Sequence, residues 1–190
     1  MSSKGNLTVI TGPMFSNKSG ELLRQATVHR IAGRRVGLFK HDLDDRYEGG
    51  ATISTHDGQT MPAEPVSSSV QLGIFAADLD LVAIDEGQFF DDGLAEVAAG
   101  LVGQGLTVIV AGLDRNFKGE PFGPMPLLLA HADEVMKLKA VCMKCRSLNG
   151  TMTQRLIDGK PAPRSSPLIL IGAADSYEAR CRNCHEVPDE

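Results

Sequence analysis

The sequence predicts an α/β fold: a parallel-sheet core followed by a small C-terminal metal-binding unit. Three observations carry this expectation. A β-rich run, Asn6–Thr11, leads through a glycine-bearing turn into a helical pattern and then into a second β-rich run, Arg35–Lys40. Strand, helix and strand in so short a span form one βαβ unit, and such units pair in parallel. Two later runs, Leu79–Asp85 and Leu106–Ala111, are apolar almost without interruption, as expected of strands covered on both faces. Near Cys142 the character changes, and two C-x-x-C pairs follow with a Pro- and Gly-containing excursion between them.

At 190 residues the chain fits one ordinary domain with a small appendage. Hydrophobic residues make up 42% and charged residues 23%, a globular composition and not a disordered one. The formal net charge of −5 argues against a sequence-independent nucleic-acid binder, which carries a basic face. Small anionic ligands remain open to it, because a few backbone amides and one lysine hold a phosphate. No basic-then-apolar leader opens the chain, and no apolar run approaches the ~20 residues a membrane helix needs. The expectation is a cytoplasmic protein with neither a nucleic-acid nor a membrane partner.

The elements follow in order. The first strand stops at Gly12. From about Ser19 to Ala32, Leu22, Leu23, Ala26 and Ile31 recur at helical spacing, and Gly33 is placed to cap the helix. Between His41 and about Val66 no period emerges, while Asp, Gly, Thr and Pro abound; a loop this long inside a domain is expected to be functional. A short helix is expected around Ser68–Ala77, and a longer one over Asp91–Val102 with Leu94, Val97, Ala98 and Leu101 on one face. A further short helix should cover Leu127–Ala132, and a late strand Leu168–Ile171. The boundary falls near Lys139, giving a parallel-sheet core over residues 1–139 and a second unit over 140–190.

Gly12, Pro13, Met14, Phe15, Ser16, Asn17, Lys18 and Ser19 occupy the position of a phosphate loop, G-x-x-x-x-G-K-[ST], between the first strand and the first helix. That chemistry needs successive backbone N–H groups and a helix N-terminus facing phosphate oxygens. Lys18 would reach the β and γ phosphates of ATP, and the Ser19 hydroxyl would ligate Mg²⁺. The plain alternative is an ordinary strand-turn-helix junction, since Asn17 stands where the motif has its second glycine. Asn is, however, the best-tolerated non-glycine residue at positive φ. Asp85, ending a buried strand, sits where a carboxylate approaches Mg²⁺ through water. Ligands of parallel sheets gather at the carboxyl ends of strands, so Gly12–Ser19 and Asp85–Glu86 should share one crevice. Glu86 could accept the proton of an attacking hydroxyl; otherwise it is a solvated strand-end acid.

Cys142, Cys145, Cys181 and Cys184 form two C-x-x-C turns around the stretch Arg146–Arg180. Two such turns complete a closed tetrahedral thiolate site for a structural Zn²⁺, and metal binding would offset the closure entropy of the long loop. A redox dithiol is the main alternative. His185 could stand in as a ligand, but the neighbouring thiolates disfavour it.

These motifs together carry a resemblance. Gly12-Pro-Met-Phe-Ser-x-Lys18-Ser19, Asp44-x-Arg46-Tyr47, Ser54-Thr-His56-Asp57, Asp85-Glu-Gly-Gln-Phe-Phe90, Leu113-Asp114 through Phe117, Pro121-Phe-Gly123 and the cysteine knuckles occur in the order seen in type II thymidine kinases. The chain resembles that family from about Gly5 to His185. The resemblance implies a RecA-like core carrying the phosphate loop, with a small C-terminal zinc-binding lasso domain closing over the base. It implies an ATP:thymidine 5′-phosphotransferase that uses Mg-ATP, assembles as a homotetramer and is inhibited by dTTP, with deoxyuridine as a further candidate substrate. Glu86 aligns with the general base and Asp85 with the metal-side acid, while Gly87 and Gln88 continue that nucleotide-facing segment. Asp44, Asp45 and Arg46 align with a stretch near the nucleotide phosphates. Met14, Phe89, Leu113, Phe117 and Phe122 align with the thymine and deoxyribose pocket, although plain core packing is the alternative for such aromatics. Thr153, Leu168, Ile169, Leu170, Ile171, Gly172 and Tyr177 align with the lasso that grips the base, and the match at Thr153 needs a small insertion after Cys145.

Two residues depart from the family pattern. Asn17 replaces a glycine and could slow turnover or weaken ATP binding. Gly20 replaces an acidic or hydroxyl residue and is expected to weaken only the first helical turn. The rival readings are a RecA-like P-loop ATPase, which would need the basic track this chain lacks, and a zinc-module binding protein whose kinase activity Asn17 has weakened.

Overall fold

A computed structural model describes residues 5–43, 51–55, 58–168 and 176–190. Six strands form one parallel sheet: β1 (Asn6–Thr11), β2 (Val36–His41), β5 (Glu64–Val66), β6 (Leu81–Asp85), β7 (Thr107–Gly112) and β8 (Glu134–Lys137), in the order β5-β2-β6-β7-β1-β8. The two apolar runs read as buried strands are β6 and β7, the middle pair of the sheet. Side chains alternate along them, so each strand feeds two cores. Leu7, Val9, Val82, Ile84, Val108 and Val110 pack beneath α2 (Ser69–Phe75), α3 (Leu94–Gly103) and α4 (Met125–His131). On the opposite face Ile10, Leu38, Leu81, Ala83, Ile109 and Ala111 pack against α1 (Lys18–Ile31). The mixed α/β architecture is as the sequence predicts.

Local differences have local causes. On α1, Leu22, Leu23 and Ala26 are buried, but Ile31 is 82% exposed, because the helix ends there and its last turn has left the sheet. Gly33 closes the helix as expected: at φ 76° its N–H donates to Arg30 O (2.9 Å) while Arg34 N–H donates to His29 O (3.1 Å), the paired bonds of a Schellman cap. Asp91 lies ahead of α3, where its carboxylate accepts from Ser69 N–H (2.8 Å), Ser69 Oγ (2.6 Å) and Gly93 N–H (3.0 Å). The expected loop over 41–66 contains structure: a hairpin of β3 (Thr52–Ser54) and β4 (Thr60–Pro62), then the edge strand β5. Three-residue strands are too short for a period to register, and Pro65 is tolerated in β5 because that strand has a free edge.

Beyond β8 the chain forms a second, antiparallel sheet, β10-β9-β11, from β9 (Met152–Ile157), β10 (Lys160–Pro161) and β11 (Ser176–Arg180). Of the strand expected over Leu168–Ile171, Leu168 itself is irregular and residues 169–171 lie outside the described residues. Among the described residues no helix is long and apolar enough to cross a membrane.

Candidate active site

The carboxyl ends of β1 and β6 bring the two sequence motifs together. Leaving β1, Gly12 adopts φ 146°, and a Cβ there would stand 2.5 Å from Leu138 O and 2.8 Å from Ser16 Oγ, so no larger residue fits. Phe15 (φ 65°) and Asn17 (φ 64°) are both left-handed, turning the loop tightly into α1. Position 17 thus has the positive φ at which Asn is tolerated. Inside the loop, Ser16 Oγ donates to Pro13 O (2.8 Å) and Lys18 Nζ to the same carbonyl (3.0 Å). The lysine therefore bends back over the loop.

Asp85 ends β6 fully inside the protein, hydrogen-bonded by Ser19 and by Glu86 N–H at 3.0 Å. Burial, and next the charge of Glu86, push its carboxyl up to about 7, against the pull of Ser19, the Glu86 amide and Lys18. A stability consequence follows. The folded pKa lies above the ordinary 3.8, so the native state binds the extra proton, and stability should fall as pH rises from about 3.8 to about 7. Asp85→Asn, in Mg²⁺-free buffer, should flatten that slope and be the more stable protein near pH 8 by roughly 2–4 kcal/mol. Urea unfolding across this pH range checks it, and parallel profiles for the two proteins would contradict it.

Glu86 itself is left-handed (φ 53°, ψ 41°), a costly conformation for a non-glycine residue that turns the chain sharply into the 3-10 turn Gly87–Phe89. Its carboxylate accepts a short hydrogen bond from Gln88 Nε2, and Gln88 Oε1 accepts Leu113 N–H at 2.9 Å. Gln88 and Gly87 are buried behind Glu86. Gln88 therefore holds the acid from behind, and neither it nor Gly87 lines the cleft. Strain and a locked partner together aim Glu86 into a cleft of about 150 Å³, lined by Met14, Phe15, Asn17–Gly20, Asp85, Glu86 and Leu113. One wall of this cleft, Thr52–Thr55 of the hairpin, was named by no site expectation. Ser54 and Thr55 do stand in the Ser-Thr-His-Asp motif, whose His56 and Asp57 lie outside the described residues.

The remaining candidates divide. Phe89 and Phe122 are half-buried and meet edge to face, with ring centroids 6.1 Å apart; it is Phe90 that enters the core. Phe117 is buried, with the Arg155 guanidinium 5.4 Å from its ring centroid. Thr153, on β9, accepts Met14 N–H on Oγ1 at 3.1 Å, so the second sheet touches the phosphate loop directly. Tyr177 on β11 is half-buried and Leu168 exposed; neither lines the cleft. Asp44, Asp45, Arg46, Ile169, Leu170, Ile171 and Gly172 lie outside the described residues. Sequence reasoning missed Arg155, which is 1% exposed and donates to Pro167 O at 2.5 Å; nothing in an isolated arginine codon of a strand signals such burial.

The four cysteines converge, all Sγ atoms lying within 4.8 Å of one another and Cys145 Sγ 3.7 Å from Cys181 Sγ. A tetrahedral Zn²⁺ with bonds of ≈ 2.3 Å has sulfur-sulfur edges of about 3.8 Å, so this soft donor set fits the ion. Tight turns present them: Arg146 N–H donates to Cys142 O (2.8 Å), and Cys184 and His185 N–H both donate to Cys181 O (3.0 Å). Burial raises Cys142, yet the N–H groups of Cys145, Cys181 and Lys144 outweigh it and bring the thiol down to about 6. Cys184, hydrogen-bonded to Cys181 and partly desolvated, is pushed up to about 12. His185 is turned away, with Nε2 2.8 Å from Phe117 O.

A strand-loop-helix cradle with a lysine over it, an acid pair at the neighbouring strand end and a closed thiolate cluster are thus assembled in one chain. A family model described as thymidine kinase matches residues 5–185, which is nearly all of it and includes every one of these features. The chain belongs to the thymidine kinase family, and its motifs are consistent with the type II branch.

Proposed function

We propose that this kinase transfers the γ-phosphate of ATP to the 5′-hydroxyl of thymidine, with Glu86 as the general base. The observation that carries the reading is the convergence of Lys18, Ser19, Asp85 and Glu86 on one cleft. Lys18 and the loop amides would hold the β and γ phosphates, with Arg46 joining them as the resemblance implies. Ser19 and Asp85, already hydrogen-bonded to each other, would hold Mg²⁺, which supplies charge neutralisation on the phosphates. Glu86, fixed by Gln88, would take the 5′-hydroxyl proton as that oxygen attacks phosphorus in line.

The same reading treats residues 1–139 as the nucleotide-binding core and 140–190 as the zinc-bound lasso over the base. Thr153, Tyr177 and the stretch 168–172 would shape the base site together with Met14, Phe89, Leu113, Phe117 and Phe122. A homotetramer, feedback inhibition by dTTP and a cytoplasmic setting complete it. The test is incubation with Mg-ATP and, separately, thymidine, deoxyuridine, deoxycytidine and deoxyguanosine. The expected product is dTMP, with deoxyuridine the next-best acceptor. ATP loss without any nucleoside monophosphate would instead indicate an ATPase, and no turnover at all a binding module.

A further inference from the structure

Asn17, which stands where the phosphate-loop motif has its second glycine, and Gly20 meet in space. Asn17 precedes α1 in the left-handed conformation (φ 64°, ψ 35°), and Gly20 lies in the first turn of that helix. A Cβ built on Gly20 would stand 2.1 Å from Asn17 Oδ1, 2.7 Å from its Cγ and 2.8 Å from its Nδ2. All three atoms belong to one amide, so a side chain at position 20 would evict the whole group and not merely nudge its tip. The amide makes no capping hydrogen bond to the helix; open space over Gly20 is what receives it.

Residue 17 stands between the helix and the cleft that Lys18, Ser19 and Asp85 also line. Asn17 is exposed and itself lines that cleft, so the staggered alternatives of an amide driven off the helix side lie over the cleft and in solvent. Glycine is a poor helix former next to alanine, so helix stability gives no reason for Gly20. Room for Asn17 does.

We infer that Gly20 is a positioning residue of the phosphate loop: it parks the Asn17 amide on the helix and so keeps the anion cradle clear. The two residues act as one pair. The inference rests on the phosphate-loop reading above, and the experiment separates the two.

The Mg-ATP dissociation constant, the KM values for ATP and thymidine and the thermal midpoint are measured for wild type, Gly20→Ala, Asn17→Gly, the double variant Asn17→Gly/Gly20→Ala, and Gly100→Ala. Gly100 is a helical glycine of α3 whose added Cβ would meet nothing within 4 Å. Gly20→Ala should weaken ATP roughly tenfold without lowering the midpoint and without changing the thymidine KM. The double variant should recover most of that loss, and Gly100→Ala should alter only the midpoint. ATP affinity in Gly20→Ala equal to wild type would overturn the pairing, as would a double variant no better than Gly20→Ala. If Gly20→Ala lowers the midpoint, the double variant still decides, provided that its gain in ATP affinity over Gly20→Ala is compared with the gain of Asn17→Gly over wild type: an excess reports the contact, and equal gains overturn the pairing. Wild-type protein that fails to bind Mg-ATP would instead remove the phosphate-loop reading itself.

Discussion

Glu86→Gln is expected to lower kcat by about 10²–10⁴-fold while leaving the KM for thymidine nearly unchanged. Glutamine keeps the shape of the residue and can still meet Gln88 and the sharp turn after β6, so the cleft survives. What it loses is the capacity to take a proton from the attacking hydroxyl. The effect belongs to the transition state and should appear in kcat and kcat/KM alike. The fold invests in this position: a non-glycine residue at φ 53° and an amide relay from Leu113 through Gln88 are costly for a solvated strand-end acid. Steady-state kinetics beside calorimetric binding of thymidine make the measurement. Near-normal turnover would take Glu86 out of the mechanism.

The second large effect concerns the thiolate cluster. Cys142→Ser should release the metal, lower the thermal midpoint and raise the KM for thymidine at least tenfold, with a smaller change for ATP. Cys142 is the buried member of the four, so the site cannot recruit water in its place without opening. Binding energy at structural zinc sites runs to ≈ 10–16 kcal/mol in small peptides, so a zinc ion held by these four cysteines would be a principal restraint on the chain between Arg146 and Arg180. Loosening that chain also frees Thr153 from the Met14 amide, the contact through which the second sheet reaches the phosphate loop. Metal content, unfolding and kinetics should move together. A metal-free protein that keeps its midpoint and its thymidine KM would contradict a structural role.

Legibility in the sequence tracked burial and element length. β1, β6 and β7 were readable because strands covered on both faces are continuous apolar runs. The βαβ start and the helix cap at Gly33 were readable because turn chemistry is local. The cysteine turns were readable because metal ligands announce their own spacing. β3, β4, β5 and β8 were not: three- and four-residue strands are too short to show a period, and β5 and β8 also owe their conformation to partners far along the chain. Within the site, the convergence of Gly12–Ser19 with Asp85 and Glu86 followed from sheet topology alone. The role of Gln88 did not, because one of its two hydrogen bonds depends on where the end of β7 delivers Leu113. Gly20 is the instructive case. Three residues from Asn17, it reads as a weakened helical turn, and only the left-handed backbone at Asn17 reveals that the two share one volume.

The most direct test of the central claim, transfer to the 5′-hydroxyl, uses γ-labelled Mg-ATP with three acceptors: thymidine, 3′-deoxythymidine and 5′-deoxythymidine. Label is expected in the nucleoside monophosphate from the first two and in none from the third, which lacks the attacking oxygen. Label on 5′-deoxythymidine, or label released only as inorganic phosphate with every acceptor, would contradict the account.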